Sequence, residues 1–126
     1  MYKIGEFSKK VNISIDTLRY YEKECLIVPE RIENNLRVYN DKDLIWIEFI
    51  KRLKLTGMSI KNIKKYANLR YEGNETIPQR LELLFDQRHK LESEQETIKE
   101  HINFINNKIN IYHKMQKEIS DKKVIH

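Results

Sequence analysis

Ile4, Phe7 and Val11 stand at i, i+3 and i+7, a spacing that predicts a short amphipathic helix over residues 3–10. The stretch VNIS breaks this pattern, and Ser14 can accept a backbone N–H at the open end of a second helix over 15–24. That helix turns Ile15, Leu18 and part of Tyr21 inward and leaves Thr17, Arg19 and Tyr20 outward. Two short helices joined by about four residues give a helix-turn-helix pattern, one that many unrelated helix pairs share. Pro29 ends the second helix. Asn34-Asn35 then reads as a hairpin turn between strands 30–33 and 36–39, because asparagine tolerates positive φ.

A third helix is predicted from Asn40, with Asp41 and Asp43 in its first turn and Trp46, Phe49, Ile50 and Leu53 as its apolar stripe. Gly57 ends it. Ser59 caps a fourth helix that carries Ile60, Ile63 and Ala67 inward. After a polar linker over 71–76, Thr76-Ile77-Pro78-Gln79 reads as a capping box with proline in the first turn. Beyond it Leu84, Leu91, Ile98, Ile105, Tyr112 and Ile119 recur every seven residues. Leu81, Ile102 and Ile109 precede members of that series by three. This heptad pattern, interrupted by Arg88, Gln95 and Gln116, predicts a coiled-coil helix over 77–120 with a fraying tail over 121–126. One such helix cannot bury its own seam, so a partner is required, most simply a second copy. The expected fold is mainly α: a head over 1–70 with a small β-wing, then a long C-terminal helix.

Charge is unevenly spread. Residues 1–70 hold 15 basic and 9 acidic side chains, a balance of +6, whereas 71–126 hold 9 and 10, a balance of −1. A basic head suits a polyanion such as DNA, and also acidic proteins and anionic membranes. The lone cysteine, Cys25, excludes an internal disulfide and any multi-cysteine metal site within one chain. No apolar stretch suggests a signal peptide or membrane span, so a cytoplasmic protein is expected.

The strings Ile4-Gly5-Glu6-Phe7, Thr17-Leu18-Arg19-Tyr20-Tyr21-Glu22-Lys23, Leu36-Arg37-Val38-Tyr39, Asp43-Leu44 and Gly57-Met58-Ser59-Ile60, in this order, resemble the DNA-binding head of MerR-type transcription regulators. The likeness covers roughly residues 2–70, and the terminal helix continues it. It implies a winged helix-turn-helix whose second helix enters the major groove while the wing grips flanking phosphates. It assigns double-stranded promoter DNA to Ser14, Thr17, Arg19, Tyr20, Tyr21, Arg37, Tyr39 and Lys61. Arg37 and Tyr39 alternate with Val38 and should project from the opposite face of the wing. Of the two adjacent tyrosines, Tyr21 is expected to be the structural one. Lys61 fits a solvated lysine as well as a phosphate contact.

The resemblance further implies a homodimer through antiparallel C-terminal helices, with Leu84, Leu91, Ile98, Ile102, Ile105, Ile109 and Tyr112 in the interface. Such a dimer binds a pseudo-palindromic promoter site with an over-long spacer and distorts it for RNA polymerase, in response to a signal the sequence does not identify. Thiolate metal sensing is disfavoured, since no cysteine flanks the terminal helix. The chain is most similar to a short, aldehyde- or electrophile-responsive group, but Ile50-Lys51-Arg52-Leu53 carries no thiol where that group has its cysteine. Cys25 falls where the family usually has glycine and reads as a small inert hydrophobe. His89, His101, His113 and His126 read as solvated or interface residues. His101 and His113, twelve apart, cannot reach one ion from a single helix. Trp46, Phe49, Tyr66, Tyr71, Phe85 and Phe104 are candidates for an effector pocket, or simply core. No cofactor site and no nucleophile, carboxylate pair or metal constellation of an enzyme is present. A coiled-coil module whose head binds protein stays open as the alternative to a promoter-binding regulator.

Overall fold

The computed structural model describes residues 1–125, with side chains to 123, so the candidate His126 lies outside the described residues. Helix α1 (Ile4–Val11) and helix α2 (Ile15–Lys23) form the helix-turn-helix, with Phe7, Val11, Leu18 and Tyr21 turned into a shared core. Asn12, in the left-handed region at φ 54°, ends α1. Lys51 Nζ donates to the Val11 carbonyl at 2.7 Å, placing a cation at the negative end of the α1 dipole. Ser14 caps α2 as its sequence position predicts.

A Schellman turn closes α2. The Cys25 N–H donates to the Glu22 carbonyl at 3.0 Å and the Leu26 N–H to the Tyr21 carbonyl at 2.8 Å, with Cys25 at φ 61°. This explains why glycine suits the position. A side chain in the left-handed region costs about 1 kcal/mol or more, whereas glycine enters it without that penalty. Cys25→Gly is therefore expected to stabilise the head by about 0.5–1 kcal/mol, read as a higher thermal midpoint. An unchanged or lower midpoint would show that the thiol contributes packing of similar size.

The wing contains an element missing from the periodicity. Strand β2 (Glu30–Ile32) and strand β3 (Leu36–Tyr39) pair antiparallel, with Asn34 and Asn35 both at positive φ between them. A third strand, β1 (Tyr2–Lys3), pairs with the other edge of β3, giving the order β1-β3-β2. Two residues are too few to show alternation, which is why the pattern of apolar positions passes over them. Helix α3 (Asp41–Leu55) opens with a reciprocal capping box between Asn40 and Asp43. Helix α4 (Ile60–Glu72) starts at the Ser59 cap. Trp46, Ile50 and Leu53 are buried on α3, Phe49 is half-buried, and Ile63 and Ala67 are buried on α4. Ile60, expected inside, is 38% exposed. Each fully buried aliphatic side chain contributes roughly 1.5–3 kcal/mol, and most of the head's stability resides here.

Helix α5 covers Ile77–Ile125, past residue 120 where the sequence pattern ended it. Thr76 does not form the expected capping box. Its hydroxyl lies 2.6 and 2.7 Å from the carbonyls of Leu69 and Gly73, which share its single proton, and accepts from Arg80 Nε. The first compact unit runs from Met1 to Gln87 and the second from Arg88 onward. Leu84, assigned to a dimer seam, is half-buried with Leu83 against the head core. In the second unit Leu91, Ile98, Ile102, Ile105, Ile109 and Tyr112 are 38–58% exposed in the single chain.

Candidate nucleic-acid interface

Helix α2 divides its side chains cleanly. Leu18 and Tyr21 lie in the core at 0% and 4% exposure, while Asp16, Arg19, Tyr20 and Lys23 are exposed. At the start of the helix, Ser14 Oγ accepts the Thr17 N–H at 3.1 Å and donates to Thr17 Oγ1 at 2.8 Å. The Thr17 hydroxyl proton is left for an outside acceptor. Arg19 makes an ion pair with the solvated Asp16, at 3.8 Å, with 55% of its side chain exposed. So loose a pair adds little to folding and leaves the guanidinium able to reach a base edge or phosphate. Tyr20 presents its ring and hydroxyl at the surface; Tyr21 is structural, as expected.

The wing and helix α2 are joined by one carboxylate. Arg31 and Arg37 are directly opposite across β2 and β3, a like-charge pairing that is unfavourable alone. Glu22 on α2 relieves it by accepting Arg37 Nε at 2.6 Å and a nitrogen of the Arg31 guanidinium at 2.9 Å. Arg31 also donates to the Asn35 carbonyl at 3.0 Å. Sequence reading missed Arg31: a two-residue Asn34-Asn35 turn would set it opposite Val38, whereas the three-residue connection Glu33–Asn35 sets it opposite Arg37. The neighbouring cation Lys64 is held by Glu24, and that contact raises its pKa.

Tyr39 is corrected. It is 1% exposed, with its ring stacked on Phe7 at a centroid distance of 4.2 Å. Alternation along a free two-stranded wing would have put it outside. Here β3 is the central strand and α1 supplies an aromatic lid, so Val38 and Tyr39 are both buried. Among the described residues the Tyr39 hydroxyl has no hydrogen-bond partner, and burial raises its pKa. It stays neutral, and its burial argues against the exposed placement that strand alternation predicted. Tyr21 is removed from the contact set by the same criterion. Lys61 is exposed in the first turn of α4, where the helix dipole disfavours a cation and favours an anion beside it. The accessible set is thus Ser14, Thr17, Arg19, Tyr20, Arg37 and Lys61, joined by Arg31.

Of the candidate pocket aromatics, Trp46, Phe49, Tyr66 and Tyr71 do gather, with Trp46 and Tyr66 stacked at 6.0 Å. Phe85 is half exposed in the first unit, and Phe104 is 76% exposed in the second. Among the described residues no group of three or more His, Cys, Asp or Glu is placed to hold a metal ion, and no helix is long and apolar enough to cross a membrane.

Comparison with known proteins sets this geometry in context. Residues 2–69 match the profile described as MerR HTH family regulatory protein. An HTH-type transcriptional regulator of Haemophilus influenzae is 35% identical over 114 residues, which is 90% of this chain and 84% of that protein. The crystal structure of HiNmlR, described as a MerR family regulator lacking the sensor domain and bound to promoter DNA, superimposes with a TM-score of 0.71 at 35% identity, covering 90% of each chain. A structure from Listeria monocytogenes assigned to MerR transcriptional regulators gives 0.76 at 34% identity over 98% of each chain.

Proposed function

This chain belongs to the MerR family of helix-turn-helix DNA-binding transcription regulators, and on that premise we propose that two copies read one pseudo-palindromic promoter site through α2 and the wing. Arg19 and Thr17 address base edges in the major groove, with Ser14 and Tyr20 beside them. Arg31, Arg37 and Lys61 address phosphates on either side. The observation that carries this reading is the split of α2, whose Arg19–Tyr20 face is exposed beside a wing carrying two positioned guanidiniums.

The same reading takes the copies to pair through antiparallel α5 helices. Its support is the seven-residue series from Leu91 to Ile119, largely exposed in a unit that contains only helix. Chains with such a seam bury it against another helix. The paired heads distort the promoter so that RNA polymerase engages it, a step whose selectivity includes the deformation energy of the DNA. A signal shifts the dimer between arrangements only to the extent of its differential affinity for them.

Gel-shift titration of the full-length protein against its own promoter, repeated across salt concentrations, tests the DNA assignment. If about six or more phosphates are neutralised per dimer, affinity should fall about a thousandfold between 50 and 200 mM salt. A flat salt response, or equal affinity for random DNA, would favour the protein-binding alternative. Nuclease protection on the same fragment would then show whether the spacer is over-long.

A further inference from the structure

Trp46 does more than fill the core. Its Nε1 donates to the Leu26 carbonyl at 2.7 Å, which fixes the indole plane, and the Arg70 guanidinium lies 4.2 Å from its ring centroid. Beside this stack is a cleft of about 310 Å³ bounded by Lys42, Ile45, Phe49, Tyr66 and Arg80 as well as Trp46 and Arg70. All of these residues belong to the first compact unit, on α3, α4 and the first turn of α5.

Three cations therefore meet an aromatic floor. Among the described residues none of Lys42, Arg70 and Arg80 is in an ion pair. Arg80 is held by the Thr76 hydroxyl and the Gly73 carbonyl, which position it without neutralising it. Asp43, whose carboxyl Arg70 helps to keep charged, is committed to the Asn40 N–H at 3.0 Å, and burial raises its pKa. The Arg70 guanidinium, 4.2 Å from the Trp46 ring centroid and 5.1 Å from that of Tyr71, is held between aromatic side chains and offers paired N–H donors suited to a planar, two-oxygen acceptor. The volume is at the lower end of ligand cavities, enough for one ring and its acid group.

We propose that this cleft binds a small organic anion with a flat apolar body, an aryl or aryl-alkyl carboxylate. Arg70 takes its carboxylate, Lys42 and Arg80 supply the surrounding positive field, and Trp46, Phe49 and Tyr66 wall the ring. Trp46 is the only tryptophan in the chain, so its fluorescence reports occupancy of the full-length protein without a label. Titration with benzoate should give saturable quenching with low-millimolar or tighter affinity, in line with a ligand of about nine heavy atoms. Benzamide keeps the ring and lacks the charge, while inorganic phosphate keeps the charge and lacks the ring. Each should bind at least tenfold more weakly than benzoate. Arg70→Gln should weaken benzoate at least tenfold with helical content retained. The ligand series on the unaltered protein stands even if that variant unfolds. Non-saturating quenching, equal binding of benzoate and benzamide, phosphate binding as well as benzoate, or a folded Arg70→Gln protein with unchanged affinity would each overturn the proposal. No DNA is present in the titration, so its failure leaves the promoter reading untouched.

Discussion

Replacing Arg19 with alanine is expected to abolish selective operator binding while leaving the fold and the subunit pairing intact. A well-placed bidentate contact to a base contributes about 1–3 kcal/mol of discrimination, and a dimer makes it twice. Together that is roughly 2–6 kcal/mol, or between about thirtyfold and twenty-thousandfold in affinity. The substitution should cost the protein almost nothing else, because the side chain is more than half exposed and its ion pair is with the solvated Asp16. Exposed positions of this kind usually change folding stability by less than about 0.5 kcal/mol. Gel shift on the native promoter measures the first quantity; sedimentation and thermal melting measure the second. Undiminished selective binding by the variant would remove α2 from the reading role.

The double change Ile102→Asp and Ile105→Asp is expected to convert the protein to monomers that hold half-sites poorly. In one chain both isoleucines are a little more than half exposed, so within a solitary helix the aspartates would cost mainly their lower helix propensity. In a seam each isoleucine contributes roughly 1.5–3 kcal/mol of burial, and four are lost per dimer along with the repulsion of four new carboxylates. The loss, about 6–12 kcal/mol before repulsion, exceeds what most pairings of this length can absorb. Sedimentation equilibrium separates the outcomes, and persistence of the dimer would mean that a different strip of α5 forms the contact.

Helices α2, α3 and α4 and their caps were legible in the sequence because each carries its own period and stop signals, whereas the expected cap and end of α5 were not met. Ser14, Asn40 and Ser59 cap as their side-chain chemistry dictates, and Gly57 lies past the end of α3 at φ 86°. Tyr39 was misplaced for a reason beyond any local pattern. Its burial depends on β1 arriving from the other end of the wing and on Phe7 stacking over it, contacts more than thirty positions away in the chain. Leu84 shows the complementary difficulty. It obeys the heptad register but lies in the stretch of α5 that packs on the head, so the repeat alone cannot tell an inner contact from an outer one. Arg31 escaped notice because its value comes from Glu22, nine residues earlier, and from Arg37 across the hairpin. The Trp46 cleft was foreshadowed by its aromatics, whereas its cations Arg70 and Arg80 come from separate helices and only the fold assembles them.

The shared anchoring of Arg31 and Arg37 on Glu22 has a mechanical corollary. A hairpin tied to the neighbouring helix by two guanidiniums at one acid is restrained from swinging on its own, and on the proposed function it would face the duplex at a set spacing. On the proposed function, a mismatch between that spacing and straight B-form geometry would fall on the DNA, whose curvature would then follow from the stiffness of the grip.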